Sequence, residues 1–247
     1  MELKKISEIQ HTPLPVESTF NEFVLSVNGR LISKQLTKSP SFKNADYLFE
    51  SDMVVAELKC LTTDLAKPDY INTVIKKYKD WFGDSAIKAL FDPDMLNEKQ
   101  KRFMFDLIKK PLRRVILKAN KQIKETKKEL NFDNYRGLFL LCNDGLFGVP
   151  TRTILNVCCN LLSKNFSHCD GFVYFTLNKY SRTPNSQKAN LLWIPFYGDN
   201  AGELDQFVNI LGKQWFEFLE GKIGKFEISE SLHFEDILYS DYIQNYN

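Results

Sequence analysis

The 247-residue sequence predicts one mixed α/β, or α+β, domain. Three observations carry that expectation. Short apolar runs, "DYLFE", "MVVAELKC", "YRGLFLLCND", "GFVYFTLN" and "NLLWIPFYG", have the length of buried strands. Longer stretches with apolar residues every third or fourth position alternate with them, as amphipathic helices do. Hydrophobic content of 43% and aromatic content of 13% supply a real core and exclude global disorder.

The elements follow in order. "PVESTFNEFVLSVNGRLISKQL" reads as a first helix, with Phe20, Val24, Val27 and Leu31 at helical spacing. Thr19 with Glu22 three residues on has the form of a capping box at its start. Two strands flank "ESD". From "KPDYINTV" to "KKELNF" the pattern is helical, with breaks expected at Gly83, Pro93 and Pro111. "TRTILNVCCNLLSKN" is a helix after the strand "YRGLFLLCND". "KYSRTPNSQKA" is a polar loop between two further strands, and "AGELDQFVNILGKQWFEFLEG" is a last amphipathic helix. The chain thus reads as a single domain, 1–247, with a helical, basic insertion at about 66–130.

The opening "MELKKISEIQHTPLP" has no apolar core of a signal peptide, and no run approaches the length of a membrane span. Cys60, Cys142, Cys158, Cys159 and Cys169 lie mostly in apolar segments without C-x-x-C spacing. An odd cysteine count fits reduced thiols and a cytoplasmic location, with no membrane partner. Cys158, Cys159, His168 and Cys169 lack a repeating zinc-ligand spacing. No Walker loop, G-x-G-x-x-G or G-x-S-x-G is present, which removes support for nucleotide-loop enzymes and serine hydrolases.

Charge is unevenly spread. Residues 101–128 hold eleven Lys or Arg and two acids, a local +9. The remainder, 22 bases against 29 acids, is −7. A basic segment on an otherwise acidic chain points to contact with a polyanion, although a solvated helix face has the same composition.

The hairpin "NADYLFESDMVVAELKC" places Asp46, Glu57 and Lys59 among apolar residues. If its turn centres on Ser51 and Asp52, then 49 pairs with 54, 47 with 56, and Asp46 with Glu57. Opposed residues share a face, with Cβ atoms roughly 4.5–5.5 Å apart. Lys59, two positions past Glu57, joins them, while Val54, Ala56, Leu58 and Cys60 take the other face. Two carboxylates so close repel, and one lysine leaves a negative charge in excess. A divalent cation fits that excess. Mg²⁺ (or Mn²⁺) takes oxygen ligands, often one or two carboxylates, and keeps waters that a phosphate can replace. The chemistry this implies is metal-assisted hydrolysis of a phosphodiester.

Asp46, a gap of ten, then Glu57-Leu58-Lys59 at the end of an apolar strand resembles the PD-(D/E)xK nuclease superfamily. The element order over about Pro15 to Asp144 is similar as well. The resemblance implies a restriction-endonuclease-like fold, a mixed central sheet flanked by helices. It implies that Asp46 and Glu57 bind Mg²⁺ with the Leu58 carbonyl as a further ligand, and that Lys59 assists the attacking water. Ala45 stands where the family often has proline. Members often add a Glu from the first helix; Glu17 shares the side of Phe20 and Val24, whereas Glu22 points away. RecB-like members carry Gln-x-x-x-Tyr on the helix after the E-x-K strand. Here Gln122 is followed by Thr126, so the motif is half met.

Arg113, Arg114, Lys118, Lys121, Gln122 and Lys124 are the candidate nucleic-acid contacts, with Lys118 and Gln122 one turn apart. Arg182, Gln187 and Lys188 of the polar loop are further candidates, and Asn143-Asp144-Gly145 reads as a turn. The expected function is a metal-dependent nuclease acting on DNA ahead of RNA, with a homodimer suited to cutting both strands. The alternatives are a non-catalytic nucleic-acid-binding module on the same fold, and an interaction protein that uses the basic helix.

Overall fold

The computed structural model describes residues 12–36, 42–61, 68–91, 95–146, 149, 151–183, 186–199, 201–226 and 241–244. In chain order the elements are α1 (Val16–Ser26), β1 (Arg30–Leu31), α2 (Ile32–Gln35), β2 (Tyr47–Phe49), β3 (Val54–Leu61), α3 (Pro68–Phe82), α4 (Ala86–Phe91) and α5 (Glu98–Glu129). Then come β4 (Arg136–Asn143), α6 (Thr151–Asn165), β5 (Gly171–Phe175), β6 (Lys179–Thr183), β7 (Ser186–Asn190), β8 (Trp193–Tyr197), α7 (Leu204–Ile223) and β9 (Asp241–Gln244).

The main sheet has six strands in the order β1-β2-β3-β4-β5-β8. β3, β4 and β5 run parallel, and antiparallel strands close both sides. Parallel pairing needs a covered sheet, and the helices provide the cover. On one face α1 and α7 bury Phe20, Phe23, Val24, Val208, Leu211 and Trp215 against Ala56, Leu140 and Val173. Phe20 and Trp215 meet at 5.1 Å between ring centroids. On the other face α5 and α6 bury Leu112, Ile116, Ile154 and Val157 against Phe139, Leu141 and Phe172. The mixed α/β class and the flanked mixed sheet are therefore as the sequence predicts.

The hairpin forms in the expected register: Tyr47 pairs with Ala56, Leu48 with Val55 and Phe49 with Val54. Met53 closes the turn with φ 53°. Alternation along β3 sends Val54, Ala56 and Leu58 to the α1/α7 core and Val55 to the core beneath α5.

Four expectations are corrected. The first helix ends at Ser26, not near Leu36, because Asn28 adopts φ 61° and Gly29 completes a turn into β1. Its start lies at Val16, so Thr19 is buried inside the helix and no capping box forms. Burial of Val16 in the core sets that start, and Glu22 pairs instead with Lys222 at 2.5 Å. Pro111 does not break the basic segment: α5 is one helix of 32 residues, about 48 Å long. Its stripe of Ile108, Leu112, Ile116, Ala119 and Ile123 is buried, and that burial outweighs the roughly 3 kcal/mol cost of an internal proline. Asn97 and Gln100 cap it reciprocally. Finally, within the polar stretch expected as a loop, residues 179–183 and 186–190 are extended. They form strands β6 and β7, which join β9 in a second, three-stranded sheet.

The helical segment is also more than an insertion. It is the crossover between parallel β3 and β4, and the C-terminal two thirds of α5 lie on the sheet. The α3–α4 pair packs on its own small core of Val74, Tyr78, Ala86, Ala89 and Leu96, with Leu107 of α5 against it. No helix among the described residues is long and apolar enough to cross a membrane.

Candidate active site

Asp46 stands one residue before β2, at the point where that strand stops shielding β3. Its Oδ2 accepts the Leu58 amide at 2.9 Å. The N–H and C=O of a strand residue point to the same edge, so the Leu58 carbonyl faces the Asp46 side as well. Its neighbour Glu57 is fully buried, 0% exposed, and Lys59 is 24% exposed at the side chain. Lys59 Nζ donates to Glu57 Oε1 and to Gln122 Oε1, the latter at 2.9 Å. As a carboxylate, Glu57 has its buried Oε2 without a hydrogen-bond partner among the described residues; when protonated, Glu57 donates to the Asp46 carboxylate instead.

The electrostatics follow from this burial. Desolvation pushes Glu57 up to about 8, with the Asp46 charge adding to it and Lys59 opposing. Desolvation likewise raises Asp46, against the lowering pull of the Leu58 amide and of Lys59. A buried carboxyl with one oxygen unsatisfied is costly to maintain. It is the kind of group that a cation relieves.

Glu17 projects from the first turn of α1 into the same field. It is exposed, yet its charge raises both Asp46 and Cys60. Burial is the main reason that Cys60 rises to about 12, and Asp144 is the largest charge acting on it. Asp144, at the end of β4, is half-buried and accepts from Asn178 Nδ2 at 2.7 Å. Neighbouring Asn143 is fully buried, bonded to Tyr174 Oη at 2.9 Å and to the Leu146 amide at 3.0 Å. The turn foreseen at 143–145 is thus a structured corner beside the site.

One turn of α5 holds the chain that leads into Asp46. Gln122 Nε2 donates to the Asn44 carbonyl at 2.8 Å, Thr126 Oγ1 accepts the Ala45 amide at 2.6 Å, and Glu125 Oε2 accepts the Lys43 amide at 3.2 Å. Gln122 therefore turns inward, its amide spent on Lys59 and Asn44, rather than outward with Lys118. Arg113, Arg114, Lys118, Lys121 and Lys124 are exposed on the outer side of α5, with Lys121 paired to Glu125 at 3.4 Å. The side chains of Arg182, Gln187 and Lys188 lie outside the described residues.

The structure thus brings Asp46, Glu57, Leu58 and Lys59 together, with Glu17 nearby. The roles of Asn44, Thr126 and Asp144 in this corner have no sequence signal beyond the spacing of Thr126 from Gln122. Among the described residues no group of three His, Cys, Asp or Glu side chains is arranged to hold a metal ion. Compared with known proteins, the chain matches no family model, no curated protein and no solved structure.

Proposed function

We propose that the protein is a divalent-metal-dependent nuclease of the PD-(D/E)xK type, hydrolysing phosphodiester bonds in DNA. The observation that carries this reading is Glu57: a fully buried carboxyl with an orphaned oxygen, set beside Asp46 and Lys59 on one hairpin. That donor set suits Mg²⁺ or Mn²⁺. With both carboxyls ionised, Glu57 Oε2 and the Asp46 oxygen not taken by the Leu58 amide are two carboxylate donors, and the Leu58 carbonyl points to the same edge. An all-oxygen set with two carboxylates leaves positions for water and phosphate. When bound, the ion would polarise the phosphoryl oxygen and lower the pKa of a water.

The chain's own residues have distinct parts in this reading. Asp46 and Glu57 hold the ion and fix its place against β3. Lys59, tethered by Glu57 and Gln122 and partly exposed, presents a compact positive charge that would orient the attacking water and offset charge on the phosphate. Arg113, Arg114, Lys118, Lys121 and Lys124 supply sequence-independent contacts to the phosphate backbone. A homodimer would bring a second site for the second strand.

The test is cleavage of plasmid and single-stranded DNA with Mg²⁺, Mn²⁺ or EDTA, beside Lys59→Ala. Nicking by the wild type only with metal, lost in Lys59→Ala, supports the reading; equal activity in the two proteins, or no cleavage with any metal, sinks it. One observation favours a second reading, a non-catalytic nucleic-acid-binding module. Lys59 already pairs with Glu57, so the hairpin can persist as an ion pair without metal. In that case DNA binding survives Asp46→Ala and no cleavage occurs.

A further inference from the structure

Asp46 sits on a short piece of chain that the sheet holds poorly. β2 has three residues and begins only after it. On the sheet side the Asp46 carbonyl accepts the Ile32 amide at 3.0 Å, and its carboxylate accepts the Leu58 amide. Upstream, the three residues before Asp46 are held by α5, through Gln122, Glu125 and Thr126. Of these three bonds the one to Thr126 is nearest Asp46 and the most buried. Thr126 is 0% exposed and Ala45 is 0% exposed, so neither group has water as a substitute.

The same part of α5 is fixed from the far side. Asn120 Oδ1 accepts the His168 amide at 3.2 Å, and Lys127 lies 3.9 Å from Asp170. Gly137 of β4 allows that closeness, since a Cβ there would stand 1.8 Å from the His168 carbonyl and 2.8 Å from Ile123. α5 is thus a rigid reference at this height, and Gln122 fastens Lys59 to it as well.

From this arrangement we infer that Thr126 is a positioning residue for Asp46: its hydroxyl, by accepting the Ala45 amide, sets the distance between the Asp46 and Glu57 carboxylates. The inference rests on the metal-site reading above for its consequence, but not for its geometry. Without the hydroxyl the Ala45 amide is buried and unpaired, and the cheapest relief is for residues 44–46 to lift from α5 toward solvent. That movement withdraws Asp46 from the Leu58 amide and opens the gap between the two carboxylates. Residues that orient metal ligands in this way typically change affinity by 10- to 100-fold when replaced.

The experiment compares Thr126→Val, which keeps the shape and removes the hydroxyl, with Thr126→Ser, which keeps the hydroxyl. Two readouts are taken: hydrogen exchange of the Leu58 amide without metal, and Mn²⁺ affinity by calorimetry. The expected result for Thr126→Val is faster Leu58 exchange and Mn²⁺ binding weaker by at least about tenfold, both restored in Thr126→Ser. Wild-type Leu58 protection and Mn²⁺ affinity in Thr126→Val would overturn the inference. If Thr126→Val fails to fold, Thr126→Ala against Thr126→Ser decides by the same readouts. If the wild type takes up no Mn²⁺, the metal-site reading fails on its own; Leu58 exchange then still shows whether Thr126 holds Asp46.

Discussion

The two ends of α5 do different work with the same kinds of residue. Toward its N-terminus the helix packs against α3 and α4 around a small core of Val74, Tyr78, Ala86, Ala89 and Leu96, and its basic side chains face water. From Ile108 onward one side is buried on the sheet, and Asn120, Gln122, Glu125, Thr126 and Lys127 all reach other parts of the chain. A helix rich in lysine is thus a solvated arm at one end and a structural strut at the other. Composition is alike along its length; what differs is whether the neighbours offer polar groups that need partners.

The sharpest way to break the comparison is at the strut's contact with the hairpin. Lys59→Ala should lower metal-dependent cleavage by about 10²–10⁴-fold, whereas neutralising Lys101 and Arg102 at the arm should leave the turnover rate within about twofold. Single-turnover cleavage of a saturating DNA separates the two, and equal losses would erase the distinction.

The next effect is on stability. Leu112→Ala removes a buried side chain from the large core and should cost roughly 2–5 kcal/mol in global unfolding by urea. Leu96→Ala removes the same atoms from the small α3–α4 core and should fall at the low end of that range. Its clearest sign should be faster hydrogen exchange confined to α3 and α4. Equal global losses would show that the arm folds as one unit with the sheet.

A pH effect from Glu57 belongs to the strut end. Without metal, Glu57 titrates at about 8 in the folded chain, above the roughly 4.3 of an unfolded glutamate. Between those values the folded state holds the extra proton, so the Glu57 contribution to stability is fully present below about pH 4 and is lost as pH rises toward 8. The slope should be on the order of 1 kcal/mol per pH unit at most, and Glu57→Gln should flatten it. Urea titrations in EDTA from pH 5 to pH 8, wild type against Glu57→Gln, measure the difference. Parallel curves would mean that Glu57 is not the group responsible.

The smallest effect concerns the outer face. Arg113→Ala with Arg114→Ala should reduce the salt dependence of DNA binding by a slope of about 2, near one per lost phosphate contact. Fluorescence anisotropy over a range of salt concentrations reads it. An unchanged slope would move the polyanion contact elsewhere.

How legible was this in the sequence? The β2–β3 register could be read because both strands are strongly apolar and a one-residue slip would put Glu57 in the α1/α7 core. α6, bounded by Thr151 and Asn165, was equally clear. β6 and β7 were hidden because "KYSRT" and "SQKAN" show no apolar alternation, the usual mark of a strand. Asn28-Gly29 is a turn pair that marks the early end of α1, but the apolar spacing continues past it to Leu31 and masks the signal. Pro111 misled because helix-breaking rules describe isolated chains, and here tertiary burial decides. In the site, the triad follows from alternation, but Thr126 and Asn44 do not. Each contact pairs a side chain of α5 with a backbone group some 80 residues away, Thr126 with the Ala45 amide and Gln122 with the Asn44 carbonyl, and a hydroxyl on a lysine-rich helix looks like a solvated one.

Pro111 has one more consequence, a mechanical one. Having no N–H, it leaves the Leu107 carbonyl without its usual rung in the helix. A rod bends most easily where a rung is missing. That weak point falls at the start of the strut, three residues past Ile108, the first buried residue of the sheet-facing stripe. A load on the α3–α4 end, whether from a bound polymer or from thermal motion, should therefore be taken up first as flexure at 107–111, sparing the turn that holds Lys59 and the approach to Asp46.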